Sequence, residues 1–167
     1  DIPDRMSVRV PMQWSDSANG GFSTAAAKDV VRPLTGGAFG PKKVNVAAQR
    51  REPDSLLNWI ERLIRRRKES PEFGWGTSEL IETSEPALFA HRCVWQGSTV
   101  VVAHNLSAKA VACTLELGIA KGEKVEIDDL LEERKHKPGR DGTLEVELGA
   151  YGYLWLRLRR QGERALS

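Results

Sequence analysis

The chain has 167 residues, 40% of them hydrophobic, so it can bury the core of one globular domain, or of one small domain and part of another. Its 25 basic and 23 acidic side chains nearly cancel to a net charge of +2, which argues against a dedicated nucleic-acid surface. No apolar run approaches the roughly 20 residues that a membrane helix requires, and the first residues lack the pattern of a signal peptide. We therefore expect a soluble, cytoplasmic protein with neither a nucleic-acid nor a membrane partner.

The opening stretch, Arg5–Phe22, follows neither the period of a strand nor that of a helix. It combines two arginines and Trp14 with turn-forming Asp, Asn and Gly, which is typical of a long shaped loop. Residues 1 to about 50 carry four prolines and two Gly-Gly pairs, so we predict irregular structure throughout that region. Such loops usually line a functional site or pack on a body outside the segment. Because the sequence starts on Asp1 inside this loop, we expect it to be part of a longer protein.

An amphipathic helix is predicted next. Pro53 suits the first helical position, and the acidic residues beside it favour the positive end of the helix dipole. Apolar residues then recur every three or four positions until Ser70–Pro71 ends the pattern. The apolar face, which we expect to be buried, consists of Leu56, Leu57, Trp59, Ile60, Leu63 and Ile64.

From Thr77 onward apolar and polar residues alternate, which is the period of a half-buried strand. Short strands at this spacing form an antiparallel β-sandwich or a partly open barrel. We therefore predict a mainly β fold in which an irregular loop and a helix, residues 1–76, precede an all-β domain, residues 77–167. The seven predicted strands are Glu79–Thr83, Ala87–Trp95, Ser98–Asn105, Val111–Leu117, Glu123–Ile127, Leu144–Leu148 and Leu154–Leu158.

The residues that most often carry chemistry are few. Cys93 and Cys113, the two cysteines, lie in strand-like runs and are predicted to be buried free thiols. The spacing of cysteines and histidines indicates no zinc site, and no phosphate-binding or nucleophile motif indicates a cofactor or another class of enzyme. His91 and His104 fall in predicted strands and are interpreted as structural.

Several short motifs occur in order along most of the chain: Arg5, Arg9, Pro11–Trp14, Asn19–Phe22, Val44–Gln49, Pro53–Trp59 and Tyr151–Tyr153. Together they resemble the C-terminal part of enzymes of glycoside hydrolase family 13, the α-amylase superfamily, and within it trehalose synthases and α-glucosidases. The resemblance implies that residues 1–76 are the last loop and helix of a (β/α)₈ barrel, with the loop at the catalytic face. It also implies that residues 77–167 are the all-β C-terminal domain.

The resemblance implies that catalysis needs residues outside this chain. In the family the nucleophile, the acid/base and a third carboxylate lie on earlier barrel strands, so we expect the 167 residues alone to turn over no glycoside. The carboxylates that are present are interpreted as turn, helix-start or surface groups: Asp16, Asp54, the pair Asp128 and Asp129, and the pair Glu132 and Glu133.

The opening loop is predicted to bind substrate. Arg5 and Arg9 carry guanidinium groups that can donate planar hydrogen bonds to sugar hydroxyls or hold a carboxylate. In the enzymes that the chain resembles, the matching arginines lie beside the reacting sugar and the acceptor site. Trp14 either offers an aromatic face to a sugar ring or anchors the loop as a buried side chain. Phe22 is interpreted as part of the loop core.

Two functions remain open at this point. The first is a C-terminal region of an enzyme acting on α-glucans or α-glucosides, as a glucosyl isomerase or an α-glucosidase, to which it supplies an active-site rim and a supporting β-domain. The alternative is a non-enzymatic carbohydrate-binding or interaction module, although the alternating patterns give no exposed row of aromatic side chains. In the isolated chain the apolar helix face would lack its barrel partner, so we expect self-association.

Overall fold

The computed structural model describes residues 9–132 and 134–160. The chain divides into two compact units, Asp1–Arg62, here the first unit, and Leu63–Ser167, here the second unit. The first unit is largely irregular and the second is largely antiparallel β-structure, so the predicted mainly β fold is confirmed.

The first unit is less irregular than predicted, because it contains the helix α1, Val46–Arg51. The first two backbone amides of α1 have acceptors that are distant in the sequence. The amides of Val46 and Ala47 donate to the carbonyl oxygens of Gln13 and Trp14, both at 3.0 Å. The Asn45 side chain accepts the next amide and caps the helix. The remainder of the unit is extended chain interrupted by short 3₁₀ turns at Ala18–Gly21, Ala27–Asp29 and Gly37–Phe39.

The predicted long helix is α2, Leu56–Lys68. It begins after Ser55 rather than at Pro53, because the Ser55 hydroxyl accepts the backbone amide of Asn58 at 3.3 Å and so acts as the cap. Four basic residues in the last turn interact favourably with the negative end of the helix dipole. The apolar face that we expected to be buried is partly open to solvent, since Leu56, Leu57, Ile60 and Ile64 are exposed.

The second unit begins with the end of α2, followed by a short helix, α3, Glu72–Trp75. Each of the seven predicted strands overlaps an observed strand. The described residues contain an eighth strand, β6, which is only two residues long and too short to show a sequence period. The strands are β1 Thr77–Leu80, β2 Leu88–Trp95, β3 Ser98–Asn105, β4 Val111–Glu116, β5 Val125–Asp129, β6 Lys135–His136, β7 Thr143–Leu148 and β8 Tyr153–Arg160.

These strands form two antiparallel sheets. One has six strands in the order β1-β2-β3-β8-β5-β6, and the other pairs β4 with β7. The main core lies between them, where one face of the larger sheet meets the apolar face of the smaller sheet; its least exposed members include Val101, Leu115, Ile127, Leu156 and Leu158. The opposite face of the larger sheet carries a second, smaller cluster.

Both cysteines are free, as predicted. Cys93 is buried on β2, and Cys113 is half-buried on β4, where burial raises the pKa of its thiol. Among the described residues, no helix combines the length and the apolar character needed to cross a bilayer.

Candidate functional site

The loop after Arg9 is built around a tight turn of three consecutive left-handed residues. Asn19, Gly20 and Gly21 have φ values of 52°, 63° and 70°. Glycine adopts this region freely and asparagine is among the residues that tolerate it, which explains the Asn-Gly-Gly sequence. The Gly20 carbonyl oxygen accepts hydrogen bonds from the backbone amides of Trp14 at 2.8 Å and Ser15 at 3.0 Å. The turn is therefore hydrogen-bonded to the residues that precede it.

Beside this turn the first unit surrounds an open hollow of about 570 Å³. The Asn19 side-chain amide fixes one wall by donating to the carbonyl oxygens of Ser23 at 3.1 Å and Ala25 at 2.7 Å. Three charged side chains line the hollow among mainly apolar neighbours: Arg9, Asp29 and Arg32, with Val10, Pro11, Phe22, Ser23, Ala25, Val30 and Val31. Apolar walls with a few charged groups are the composition of a pocket for a small polar ligand.

The predicted binding residues have different positions relative to this hollow. Arg9 lines it. Trp14 is half-exposed, and its backbone, rather than its ring, has a visible structural role, since its carbonyl oxygen caps α1. Arg5 lies outside the described residues. Phe22, which we expected in the loop core, is half-exposed and lines the hollow, so that interpretation was wrong.

Sequence reasoning missed Asp29 and Arg32. The only signal in the sequence is that two charged residues flank the pair Val30–Val31 in a region predicted to be irregular. The turn at Asn19 brings this segment to the same hollow as Arg9, and such a distant pairing leaves no periodic pattern in the sequence.

Other motif residues hold the scaffold together rather than line the hollow. The Gln49 carbonyl oxygen accepts the Ser55 hydroxyl at 2.7 Å and the Asn58 side-chain amide at 2.9 Å. The Gln49 side chain also accepts the Leu57 amide at 2.9 Å, at the first turn of α2. These contacts join the end of α1 to the start of α2 within the first unit.

We expect Asn45→Ala to lower the free energy of unfolding by about 1 to 2 kcal/mol, because the Asn45 side chain is buried and caps α1. The same side chain donates to the Pro41 carbonyl oxygen at 2.8 Å. Asn45→Ser is the matched control, since its hydroxyl keeps a capping acceptor while the bond to Pro41 is lost. Urea denaturation followed by circular dichroism measures both changes, and an Asn45→Ala variant as stable as the parent chain would contradict the capping role.

The candidate carboxylates of the second unit have structural partners. Asp128 pairs with Arg159, with 2.6 Å between Oδ2 and Nε. Asp129 Oδ1 accepts the backbone amides of Leu131 and Glu132 at 2.9 and 3.1 Å. Glu132 pairs with Arg134, with 2.7 Å between Oε2 and Nη2. The remaining candidates are Asp16 and Asp54 of the first unit, both exposed, and Glu133, which lies outside the described residues. Within the described ranges, no group of three or more His, Cys, Asp or Glu side chains is placed to hold a metal ion.

Two family models match the chain in succession. Residues 3–76 match the α-amylase catalytic domain, and residues 97–157 match the sucrose hydrolase-like C-terminal domain. The hollow and its loop therefore lie in the part that matches a catalytic domain, and most of the strands lie in the part that matches a C-terminal domain.

Two trehalose synthases are similar in sequence to this chain. The trehalose synthase of Thermus thermophilus is 31% identical over 160 residues, which are 95% of this chain and 16% of that protein. The trehalose synthase/amylase TreS of Mycobacterium tuberculosis (strain H37Rv) is 38% identical over 110 residues, which are 64% of this chain and 18% of that protein. The chain thus spans less than a fifth of the length of these relatives.

A solved structure shares the fold. The trehalulose synthase MutB of Pseudomonas mesoacidophila superposes with a TM-score of 0.66 and 25% sequence identity, over 90% of this chain and 25% of that one. The order of the two family matches, the relatives and the shared fold together show that the chain belongs to glycoside hydrolase family 13, as a C-terminal region of that family.

Proposed function

We propose that the chain is the C-terminal region of an enzyme that acts on α-glucosides, and that the hollow around Arg9 forms part of the rim of its active site. The observation that carries the proposal is the position of Arg9, held on a hydrogen-bonded loop at a hollow in the segment that matches a catalytic domain. A guanidinium group in that position can donate to several sugar hydroxyls at once.

The arrangement suits binding and orientation rather than bond cleavage. Arg9 supplies donors, the Asp29 carboxylate supplies an acceptor, and Val10, Phe22 and Val31 supply apolar surface against which the carbon–hydrogen face of a sugar ring can lie. In our proposal the nucleophile and the acid/base carboxylate come from earlier barrel strands, so the 167 residues alone have no glycosidase activity. The boundary between the catalytic part and the β-domain is proposed at residues 76 and 77.

The relatives support a proposal for the substrate class. Trehalose synthases match this chain, as does the oligo-1,6-glucosidase of Parageobacillus thermoglucosidasius, which is 30% identical over 105 residues. We propose an α-linked glucose disaccharide as substrate and isomerisation, transfer or hydrolysis as the reaction, without a cofactor. A cytoplasmic location remains part of the proposal.

The first test is the gene sequence upstream of the codon for Asp1. It is expected to encode barrel strands that carry three carboxylates, and their absence would defeat the proposal. In the complete protein, Arg9→Ala is expected to lower kcat/KM for trehalose or maltose roughly 10- to 100-fold, the value of one or two lost charged hydrogen bonds. Arg5→Ala is expected to act in the same direction.

Arg50→Ala is the control for charge, because Arg50 is an exposed arginine of the same unit that does not line the hollow. It is expected to leave kcat/KM unchanged. If Arg9→Ala and Arg50→Ala had the same kinetics, Arg9 would have no role at the active site.

The alternative, a non-enzymatic carbohydrate-binding module, is tested on the 167-residue chain by calorimetry with millimolar maltose. Saturable heat that Arg9→Ala leaves unchanged would favour a binding module over the rim proposed here.

A further inference from the structure

A cavity of about 460 Å³ lies beside the main core of the second unit. One of its residues, Arg92 on β2, is paired with Val101, a member of that core, so Arg92 faces the same side of the larger sheet as the core. Leu63 and Phe73, which belong to the segment that matches a catalytic domain, pack on the opposite face of that sheet. We call this space the end cavity, and its lining consists of Glu79, Arg92, Val94, Gly97, Thr99, Leu117, Gly118 and Arg160.

Part of the end cavity is lined by buried residues of the fold. Leu117 is 1% exposed and belongs to the main core, and Thr99 is 3% exposed. Val94 is exposed and adds apolar surface that solvent reaches. A volume of this size, with apolar walls and a few polar groups, suits a small organic molecule better than a bare ion.

The Arg92 guanidinium is held at one edge and unpaired at the other. Its Nε and Nη2 atoms lie 2.9 and 2.8 Å from Glu79 Oε2. Within residues 9–132 and 134–160, its Nη1 atom has no hydrogen-bond acceptor. The Arg92 side chain is therefore fixed by Glu79 while two N–H groups of Nη1 remain for another partner.

Gly118 makes room for the unpaired edge of Arg92. Gly118 has a φ value of 70°, and a Cβ atom at this position would overlap Arg92 Nη1. Because Gly118 also lines the end cavity, Nη1 lies at the wall of that space. The end cavity thus receives two fixed donors of a guanidinium group, which is the group that best matches the geometry of phosphate and carboxylate oxygens.

A second arginine is fixed at the same cavity. Arg160 Nε donates to Glu123 Oε1 at 2.7 Å, and its Nη1 donates to Thr99 Oγ1 at 3.0 Å and to the Gly97 carbonyl oxygen at 3.2 Å. The charged side chains of the lining are thus two arginines and one glutamate. Their sum is positive, so the end cavity attracts an anion, although Glu123 beside Arg160 moderates the attraction.

We propose that the end cavity binds the phosphate group of a small organic phosphate, with the phosphate oxygens at Arg92 Nη1 and the organic body against Val94 and Leu117. A phosphate monoester carries between one and two negative charges at pH 7, so it gains more from two arginines than a carboxylate does. No residue of the lining lies in the segment that matches a catalytic domain. The inference therefore does not rest on the proposed function.

Titration of the 167-residue chain with glucose 6-phosphate, followed by NMR of the backbone amides, tests the site. We expect saturable shifts at Gly97, Thr99 and Gly118, and no comparable shifts with glucose. Inorganic phosphate separates two sources of the same chemistry. Tighter binding of glucose 6-phosphate would assign the site to an organic phosphate, and equal binding would assign it to the phosphate group alone. Equal shifts with glucose would overturn the proposal, because the phosphate group would then not be recognised.

Arg92→Met is expected to weaken binding of glucose 6-phosphate roughly tenfold or more, the value of a lost charged hydrogen bond. Arg159→Met is the matched control for charge, since Arg159 pairs with Asp128 and does not line the end cavity. It is expected to leave binding unchanged. Equal weakening by the two substitutions would show attraction by net charge alone and would overturn the proposal.

Glu79→Gln is expected to act in the opposite direction. It removes the negative charge of the lining, while the amide oxygen of glutamine can still accept a hydrogen bond from Arg92. Binding of glucose 6-phosphate should therefore tighten roughly threefold or more, because the ligand no longer approaches a like charge. Weaker binding in this variant would contradict an anion site at Arg92.

Gly118→Ala tests the position of the guanidinium with every charge retained. The added Cβ atom displaces Arg92 Nη1, so binding is expected to weaken severalfold. Gly122→Ala is the matched control, since Gly122 has a φ value of 84° and no atom lies within 4 Å of a Cβ there. It brings similar backbone strain without the contact and should leave binding unchanged. Thermal unfolding of each variant confirms that the variant is folded.

Two results would overturn the inference outright. One is the absence of shifts at the end cavity with either phosphate ligand, and the other is a set of shifts that Arg92→Met and Gly118→Ala both leave unchanged. Neither measurement requires catalysis. Failure of the phosphate site would therefore leave the proposed function intact, and an inactive complete protein would leave the phosphate site intact.

Discussion

Arg157→Met is expected to lower the free energy of unfolding of the second unit by about 3 to 5 kcal/mol, because it leaves the Glu72 carboxylate buried without its cation. Glu72 is only 1% exposed. Its Oε2 atom lies 3.2 Å from Arg157 Nη2, and its Oε1 atom accepts the Ser98 hydroxyl at 2.6 Å. Arg157 Nη2 also donates to the Ser70 hydroxyl at 2.8 Å. One substitution thus removes the cation and takes this partner away from Glu72 Oε2 and from the Ser70 hydroxyl.

Arg159→Met is the matched control. Arg159 is on the same strand and pairs with Asp128 at 2.6 Å, but its side chain is 55% exposed. Water screens such a pair, so its loss is expected to cost less than about 1 kcal/mol. Urea denaturation followed by tryptophan fluorescence compares the two variants, and equal losses would show that the Glu72 pair contributes no more than a surface ion pair.

A double variant isolates the cost of the unpaired carboxylate. Glu72→Gln combined with Arg157→Met removes both charges, so it is expected to be more stable than Arg157→Met alone. If the double variant were no more stable than the single one, lost packing of the arginine stem would explain the loss instead.

The ion pair has a specific place in the fold. Glu72 begins α3 and Ser70 lies just before it, whereas Arg157 is on β8 and Ser98 begins β3. The contacts among these four side chains therefore anchor the connection between α2 and β1 to β3 and β8, the central strands of the larger sheet. Their sequence context gives no sign of this, because Glu72 reads as an ordinary surface residue near the end of a helix.

The strands of the second unit could be predicted because their cause is local. Alternation such as Leu144-Glu145-Val146-Glu147-Leu148 specifies both a strand and the face that it buries. The pairing of strands is not local. Phe89, His104 and Tyr153 form a row only because of the register between three strands. The alternating pattern within each single strand showed no aromatic row, so it could not predict this one.

The candidate site could be predicted only in part for the same reason. Arg9 was identified by residue type and motif. Asp29 and Arg32 reach the hollow through a left-handed turn at Asn19 and a pair of side-chain hydrogen bonds, which a sequence pattern does not reveal. The helix α1 escaped prediction because two of its capping acceptors, Gln13 and Trp14, come from the start of the loop.

Leu115→Ala is expected to lower the free energy of unfolding by about 2 to 5 kcal/mol, the cost of a cavity at a fully buried leucine. Leu115 is 0% exposed and lies on β4 in the core between the two sheets. Among the described strands, β4 pairs with β7 alone, so no ladder of backbone hydrogen bonds connects the smaller sheet to the larger one. A pair of strands is marginally stable by itself, and apolar packing must therefore hold it in place.

Leu106→Ala is the control, because Leu106 is 68% exposed and its truncation should change stability by less than about 0.5 kcal/mol. Hydrogen exchange distinguishes local from global loss. If packing at Leu115 holds the smaller sheet, Leu115→Ala will speed exchange of the paired amides of β4 and β7 before those at the centre of the larger sheet, β3 and β8. Unchanged exchange in β4 and β7, together with a stability loss no larger than that of Leu106→Ala, would mean that the two sheets do not share the core described here.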